Sequence, residues 1–130
     1  MGPGQDNTTM SVNIKETFWV IHKLAADGSN WVTFKTHFLF AMAGRDIDGH
    51  FNGSDAAPPA PTFSTTDEPK WTTANKDLNQ AYLPLVRKWR HDEHDACTQL
   101  AQVISDSLLI KIQHTGTVAD MWNIITMEFN

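Results

Sequence analysis

The run His-Asp-Glu-His-Asp at 91–95 is the densest group of side chains in the sequence that could do chemistry. His91 and His94 are three residues apart on a predicted helix and so share a face, where imidazole and carboxylate together can bind zinc. A third or fourth ligand would have to come from elsewhere, for example from His22 or His114. Because acidic residues also suit the exposed first turn of a helix, we interpret 91–95 as a solvated face and predict no metal site.

Cys97 lies three residues after His94, which is the spacing of a thiol and a general base that share a helix face. No Gly turn flanks it and no Asn partner is evident, so we predict a small buried thiol rather than a nucleophile. The sequence has no Gly-rich phosphate loop and no pair of carboxylates tied to a cleft. We therefore predict no catalytic residue, no cofactor and no enzyme activity.

Asp46, Asp48, His50 and Asn52 alternate with other residues in a way that faintly resembles a calcium-binding loop. Such a loop needs a Gly near the position of His50 and a Glu near its end, and neither fits. We therefore predict that residues 45–53 only turn the chain, without binding calcium.

The composition fits one domain and argues against several classes of protein. The 130 residues have a net charge of -5, and no cluster of Lys and Arg is available to bind a phosphate backbone. One cysteine cannot form an internal disulfide, which fits a reducing compartment. No apolar run approaches the roughly 20 residues of a membrane span, and the first residues do not resemble a signal peptide. The five Trp could stack on bases, but core packing is the better interpretation.

Apolar spacing predicts a first helix over about residues 31–43. Its apolar positions are Trp31, Phe34, Phe38, Leu39 and Met42. Ser29 or Asn30 can cap its start, and Gly44 can stop it. His37 lies beside the apolar stripe and is predicted to be a partly buried packing residue.

Pro84 is predicted to separate two helices. The first begins after Thr72 or Thr73 and ends at Pro84, because proline lacks the amide hydrogen that a helix interior needs. The second has Pro84 as its first residue and runs to about Ile104. Its buried face is predicted to consist of Leu85, Trp89, Asp92, Ala96, Leu100 and Val103.

Local capping signals predict two further helices. Ser105 is expected to cap a short helix that runs through Ile112. Thr117 and Asp120 come close to a capping box, which would start the last helix. The apolar face of that helix consists of Met121, Trp122, Ile125 and Phe129.

The remaining segments are predicted to lack regular structure. Residues 1–15 are expected to form a disordered leader, and residues 18–24 an extended arm that lies across helices. Four of the six prolines fall within residues 54–70, which predicts a long, flexible, exposed loop, after which Trp71 anchors the chain to the body. The predicted fold is all-α: a small orthogonal bundle of about five helices over residues 16–130, with an extended N-terminal arm and a Pro-rich loop.

Several of these positions together resemble the Gag protein of copia-type LTR retrotransposons. That family opens on a Leu, a Gly, an Asn with an aromatic residue, and a Trp three residues further on. Leu24 and the run Gly28-x-Asn30-Trp31-x-x-Phe34 match this opening, with Phe34 where the family prefers Trp. The later matches, in order and near the family's spacing, are Trp89, Asp92, Ala96, Ile104, Leu108, Leu109, Ala119, Trp122 and Phe129. Ala119 and Trp122 are one residue closer together than in the usual pattern, and the resemblance covers about residues 20–129.

The resemblance implies a retroviral-type capsid N-terminal domain, which has no catalytic centre and assembles with copies of itself into shells around the element's RNA. In that family a second helical capsid domain usually follows, often with a zinc knuckle that binds RNA. Neither is present in this sequence, so RNA packaging is expected to use regions outside it. The element could be active or adopted by its host, and the expected location is the cytoplasm, in intracellular particles.

The first functional hypothesis is therefore a capsid domain that self-assembles into a virus-like particle. Its expected core residues are Trp31, Phe34, Phe38, Trp89, Leu100, Ile104, Trp122 and Ile125. The alternative is a helical module that binds a host protein through the loop and the arm without forming shells. A metal-dependent hydrolase centred on His91 and His94 is the third hypothesis.

Overall fold

The computed structural model describes residues 22–63 and 67–130, and its regular structure in those ranges is entirely helical. Its five α-helices are α1 (Trp31–Gly44), α2 (Asp48–Asn52), α3 (Thr73–Ala101), α4 (Asp106–Ile112) and α5 (Val118–Phe129). A 3₁₀ turn, Glu68–Lys70, precedes α3. The predicted all-α class with about five helices is confirmed. None of the helices described is both long and apolar enough to cross a membrane.

Helix starts follow the predicted capping residues. The Ser105 hydroxyl accepts the backbone N–H of Leu108 at the start of α4. Thr117 and Asp120 form the full capping box of α5, each side chain accepting the other's backbone N–H. These bonds satisfy amide groups that have no partner inside the helix, which explains why a local pattern fixes both boundaries.

The predicted break at Pro84 is wrong, because α3 runs without interruption from Thr73 to Ala101 with Pro84 inside it. Proline in a helix interior removes one hydrogen bond and crowds the carbonyl four residues earlier. Pro84 and Gln80 both lie on the exposed side of α3, so water can reach the carbonyl that loses its partner. The helix also ends three residues before the predicted Ile104.

Helix α2 occupies the segment that was predicted to be only a turn. It is five residues long, too short for apolar spacing to show, yet His50 and Phe51 are buried in it. Gly53 ends it with a φ of +81°, a left-handed conformation that suits glycine. Asp48, His50 and Asn52 therefore lie on a helix, not on a calcium-type loop.

One apolar core joins α1, α2, α4, α5 and the C-terminal third of α3. Seven of the eight expected core residues are buried in it: Trp31, Phe34, Phe38, Leu100, Ile104, Trp122 and Ile125. Trp89 is the exception, because it is only half-buried and lies outside the core cluster. Leu85 on its predicted buried face is 59% exposed, and His37, expected to be partly buried, is exposed.

Aromatic rings from both ends of the described chain form the centre of this core. The Trp122 ring lies 5.4 Å from Trp31, 5.2 Å from Phe38 and 5.5 Å from Phe51, centroid to centroid. The Trp31 indole also donates to the Asn130 side-chain oxygen at 2.9 Å. Each buried ring removes a large apolar area from water, so α1 and α5 stabilise one another although they lie far apart in sequence.

The segment before α1 is held by one side chain. Asn30 accepts the backbone N–H of Ala25 at 2.8 Å and donates to the Lys23 carbonyl at 2.9 Å. Asn30 is the N-cap residue, as predicted, but its side chain binds this preceding turn and not the helix. Leu24 is buried, and its N–H donates to the Val103 carbonyl, so this end of the predicted arm lies across the end of α3. The leader and residues 18–21 lie outside the described residues.

The Pro-rich loop has no regular structure over residues 54–63, and residues 64–66 lie outside the described ranges. The rings of Phe63 and Trp71 pack together at 4.3 Å, centroid to centroid, so the two sides of the loop meet at these residues. The Trp89 indole holds the first part of the loop by donating to the Asp55 carbonyl at 2.7 Å.

Substitution of Gly28 tests the contact between the segment before α1 and the end of α5. Its φ is +73°, and a Cβ at this position would overlap the ring of Phe129. Gly53 has a similar φ of +81°, but a Cβ there would meet open space. Gly53→Ala should therefore lower the unfolding free energy by about 1–2 kcal/mol, because alanine is strained in the left-handed backbone conformation. Gly28→Ala should cost at least about 1 kcal/mol more, because the ring must also move.

Urea unfolding of both variants, followed by tryptophan fluorescence, measures this difference. Equal losses for the two substitutions would show that Phe129 does not pack on Gly28.

Candidate functional site

The acidic and histidine residues at 91–95 do not form one site. His91 and His94 are exposed on α3, and the His91 side chain retains 83% of its accessible surface. Glu93 points the other way, toward α2 and α5, with only 15% of its side chain exposed. In the described ranges, no three His, Cys, Asp or Glu side chains are arranged to bind a metal ion. His22 and His114, the imagined extra ligands, are both exposed.

Glu93 is the centre of a buried polar network that joins three helices. Its Oε1 atom lies 2.9 Å from His50 Nδ1 on α2, and its Oε2 accepts the Val118 backbone N–H at 2.8 Å. As a carboxylate Glu93 accepts both bonds, which places a hydrogen on His50 Nδ1. The His50 side chain is only 3% exposed. We call these three groups the Glu93 network.

The position of Val118 explains why a carboxylate fits here. Val118 is the first residue of α5, and its N–H is one of the amide groups that a helix start leaves without a partner. The capping box satisfies the N–H of Asp120, and Glu93 satisfies that of Val118. A negative charge near a helix N-terminus is also favoured by the helix dipole.

The neighbouring carboxylates each have a different partner. Asp95 binds Arg45 through both of its oxygens, at 3.1 and 3.2 Å. Asp92 accepts from Lys88 at 2.6 Å, and this bond holds the pKa of the Asp92 carboxyl below its usual value. The same pair raises the pKa of the Lys88 ammonium. These acidic groups therefore serve contacts within the chain.

Cys97 does not have the surroundings of a catalytic thiol. It is half-buried against the core, where burial, with a smaller contribution from the Glu93 charge, raises the pKa of its thiol. A nucleophilic cysteine needs the opposite shift, since only the thiolate attacks. Cys97 is therefore only partly buried, where the sequence predicted a buried thiol.

An open cavity of about 340 Å³ lies between α2, α3 and the start of the Pro-rich loop. The side chains around it belong to Asp46, His50, Asp55, Ala56, Pro58, Leu85, Lys88, Trp89 and Asp92. The Trp89 ring packs 5.6 Å from the His50 ring, so one wall of the cavity is also a wall of the Glu93 network. Its volume is near the lower limit of small-molecule pockets, and four of its nine lining residues are charged.

Two polar groups that line the cavity have partners within the chain. In the described ranges, no buried side-chain nitrogen or oxygen is without a hydrogen-bond partner. The Nδ1 atom of His50 is bound to Glu93, and the Asp92 carboxylate is bound to Lys88.

Exposed apolar side chains offer another kind of site. Among the residues that the structure describes, those more than half exposed include Val32, Leu78, Leu85, Ile110 and Met127. Single exposed apolar residues are ordinary, but a contiguous group of them is typical of a contact with another protein. Leu78 and Leu85 lie on the same side of the N-terminal half of α3, seven residues or about two turns apart.

The sequence interpretation missed the Glu93 network, although a signal for Glu93 was present. Glu93 is three residues before Ala96 and seven before Leu100, which places it on the buried face of α3. His50 had no such signal, because α2 is too short to show periodicity.

Comparison with known proteins gives no family assignment: no protein-family model, no curated protein and no solved structure matches this chain.

The Glu93 network predicts a large loss of stability on truncation. Glu93→Ala leaves His50 Nδ1 and the Val118 N–H without their acceptor, which should cost about 2–4 kcal/mol of unfolding free energy. Glu93→Gln should lose less, because the amide oxygen can accept from Val118 while its NH₂ donates to the other tautomer of His50.

Asp95→Ala is the matched control two residues away. It removes the ion pair with Arg45, which is 49% exposed, and should cost less than about 1 kcal/mol. Chemical denaturation of the three variants measures these losses. A Glu93→Ala loss no larger than that of Asp95→Ala would contradict the described role of the network.

Proposed function

We propose that this chain is a structural assembly domain related to the capsid N-terminal domain of copia-type Gag proteins. It carries out no reaction and acts by contacts with copies of itself. A second capsid domain and an RNA-binding region would be supplied by other parts of the complete protein. The proposed setting is an intracellular particle of an active or host-adopted element.

The observation that carries this proposal is the packing of the residues on which the family resemblance depends. Gly28 lies against the Phe129 ring, and the Trp31 ring packs 5.4 Å from Trp122 and 6.0 Å from Phe129. Asn30 holds the turn that precedes Trp31. The first and last positions of the family pattern are thus in contact with one another in the core. This contact supports the interpretation that these residues match the family for a structural reason, and not by chance through amphipathic spacing.

The use of the polar groups also supports a structural role. Glu93, Asp92 and Asp95 are engaged within the chain, while several large apolar side chains remain exposed on α3, α4 and α5. A protein that acts by forming contacts needs such surfaces and needs no reactive group.

The cavity beside Trp89 favours a second candidate, a module that binds a host protein without forming shells. Asp55, Ala56 and Pro58 of the Pro-rich loop line this cavity together with Trp89, which remains partly exposed. In that case Trp89→Ala would abolish binding of the partner, and the chain would remain monomeric under all conditions.

The assembly proposal predicts a specific response to salt. Each copy carries a net charge of -5, so copies repel one another at low ionic strength. At about 1 M salt the screening length falls to about 3 Å, and apolar contacts should then dominate. We expect sedimentation and electron microscopy to show large particles at high protein and salt concentration, and mainly monomers at low salt. A single monomeric species throughout such a series would refute the assembly role.

A further inference from the structure

The N-terminal half of α3 has an apolar stripe whose four residues are all exposed in the described structure. Its four residues, which we call the α3 stripe, are Ala74, Leu78, Ala81 and Leu85. All four are exposed, and Leu78 and Leu85 keep 51% and 59% of their surface. Steps of four, three and four residues place them on one face of the helix.

The helix that carries the stripe has little other support. Between Thr73 and Leu85 no residue of α3 is buried, and Val86 is the first that is. Isolated helices of this length are marginal in water, and Pro84 weakens this one further. Apolar residues that recur at helical spacing without a covering element indicate a missing partner.

The order of large and small residues in the stripe identifies the partner. In an antiparallel pair of α3 helices centred between Asn79 and Gln80, Leu78 lies opposite Ala81 of the second copy, and Ala74 lies opposite its Leu85. Every leucine then meets an alanine, so large side chains enter the spaces above small ones. A parallel pair would place leucine on leucine and leave the alanines facing each other across a gap.

We propose that the α3 stripe binds the α3 stripe of a second copy in an antiparallel, two-fold symmetric contact. The surface is self-complementary, as a two-fold contact between identical chains requires. The inference deepens the proposed assembly function and rests on it, since it names one contact from which a shell would be built.

The small area of the stripe implies a low affinity for the contact between two copies. Four side chains, two of them alanines, cover far less than the about 800 Å² per partner of a stable complex. The pair is therefore weak alone and becomes effective only when other contacts hold several copies together. Weak two-fold contacts also allow copies to rearrange while a closed shell forms.

Substitutions on the exposed stripe test this contact without disturbing the core. Leu78→Glu should weaken self-association by about tenfold or more, because it places a charge in the apolar contact. Ala81→Leu separates the proposed contact from general apolar attraction. It makes the surface more apolar but fills the space that Leu78 of the second copy enters, so self-association should weaken as well.

Val32→Glu is the matched control, since Val32 is 72% exposed and lies on a different helix, α1. It should leave this self-association unchanged. Circular dichroism should show unchanged folding for all three variants, and sedimentation equilibrium over a concentration series gives their association constants. Stronger association of Ala81→Leu, or no effect of Leu78→Glu, overturns the proposed contact.

Cysteine cross-linking tests the orientation. In a Cys97→Ser background, a mixture of the Ala74→Cys and Leu85→Cys chains, treated with oxidised glutathione, should give mainly mixed disulfide dimers. A parallel contact would give mainly Ala74→Cys and Leu85→Cys homodimers instead.

The outcomes separate this inference from the proposed function. Particles that form equally well with Leu78→Glu leave the assembly role standing and exclude the α3 contact. Antiparallel dimers without larger particles support the α3 contact and exclude the shell. Wild-type chains that remain monomeric at every concentration exclude both.

Discussion

The largely buried carboxylate of Glu93 is the constraint on which the arrangement of helices depends. Taking such a group out of water is costly unless hydrogen-bond donors replace the water it loses. Its two donors, His50 and the Val118 N–H, come from segments 43 and 25 residues away. The network is therefore satisfied only when α2, α3 and α5 meet in one geometry, whereas apolar packing alone would tolerate small shifts.

The aromatic core depends on that geometry. His50 and Phe51 are neighbours on α2, so fixing His50 against Glu93 also directs Phe51 into the core, where its ring meets Trp122 edge to face. Val118 and Trp122 are one turn apart on α5, so the same network sets the position of the Trp122 ring. A polar contact at the edge of the core thus determines the register of the apolar contacts at its centre.

The features that could be predicted from the sequence depend on neighbouring residues. The features that could not be predicted depend on contacts between residues far apart in the chain. The caps at Ser105 and Thr117 and the stripe from Trp31 to Met42 depend on residues a few positions apart. Pro84 shows the limit, because tertiary contacts further along α3 outweigh its local cost. Residues 91–95 were interpreted as a solvated first-turn face, whereas they follow more than four turns of α3. Glu93 was consequently interpreted as solvated.

The difference between the two ends of α3 indicates where surfaces for other molecules lie. The C-terminal third of α3 is buried in the core, and its middle carries Glu93, Asp92 and Asp95, each already bound within the chain. In the described ranges, large exposed apolar side chains of this helix lie in its N-terminal half. A domain that satisfies its polar groups internally can interact mainly through shape and apolar contact. For this surface we propose another copy as the partner, since every leucine comes with the alanine that accommodates it.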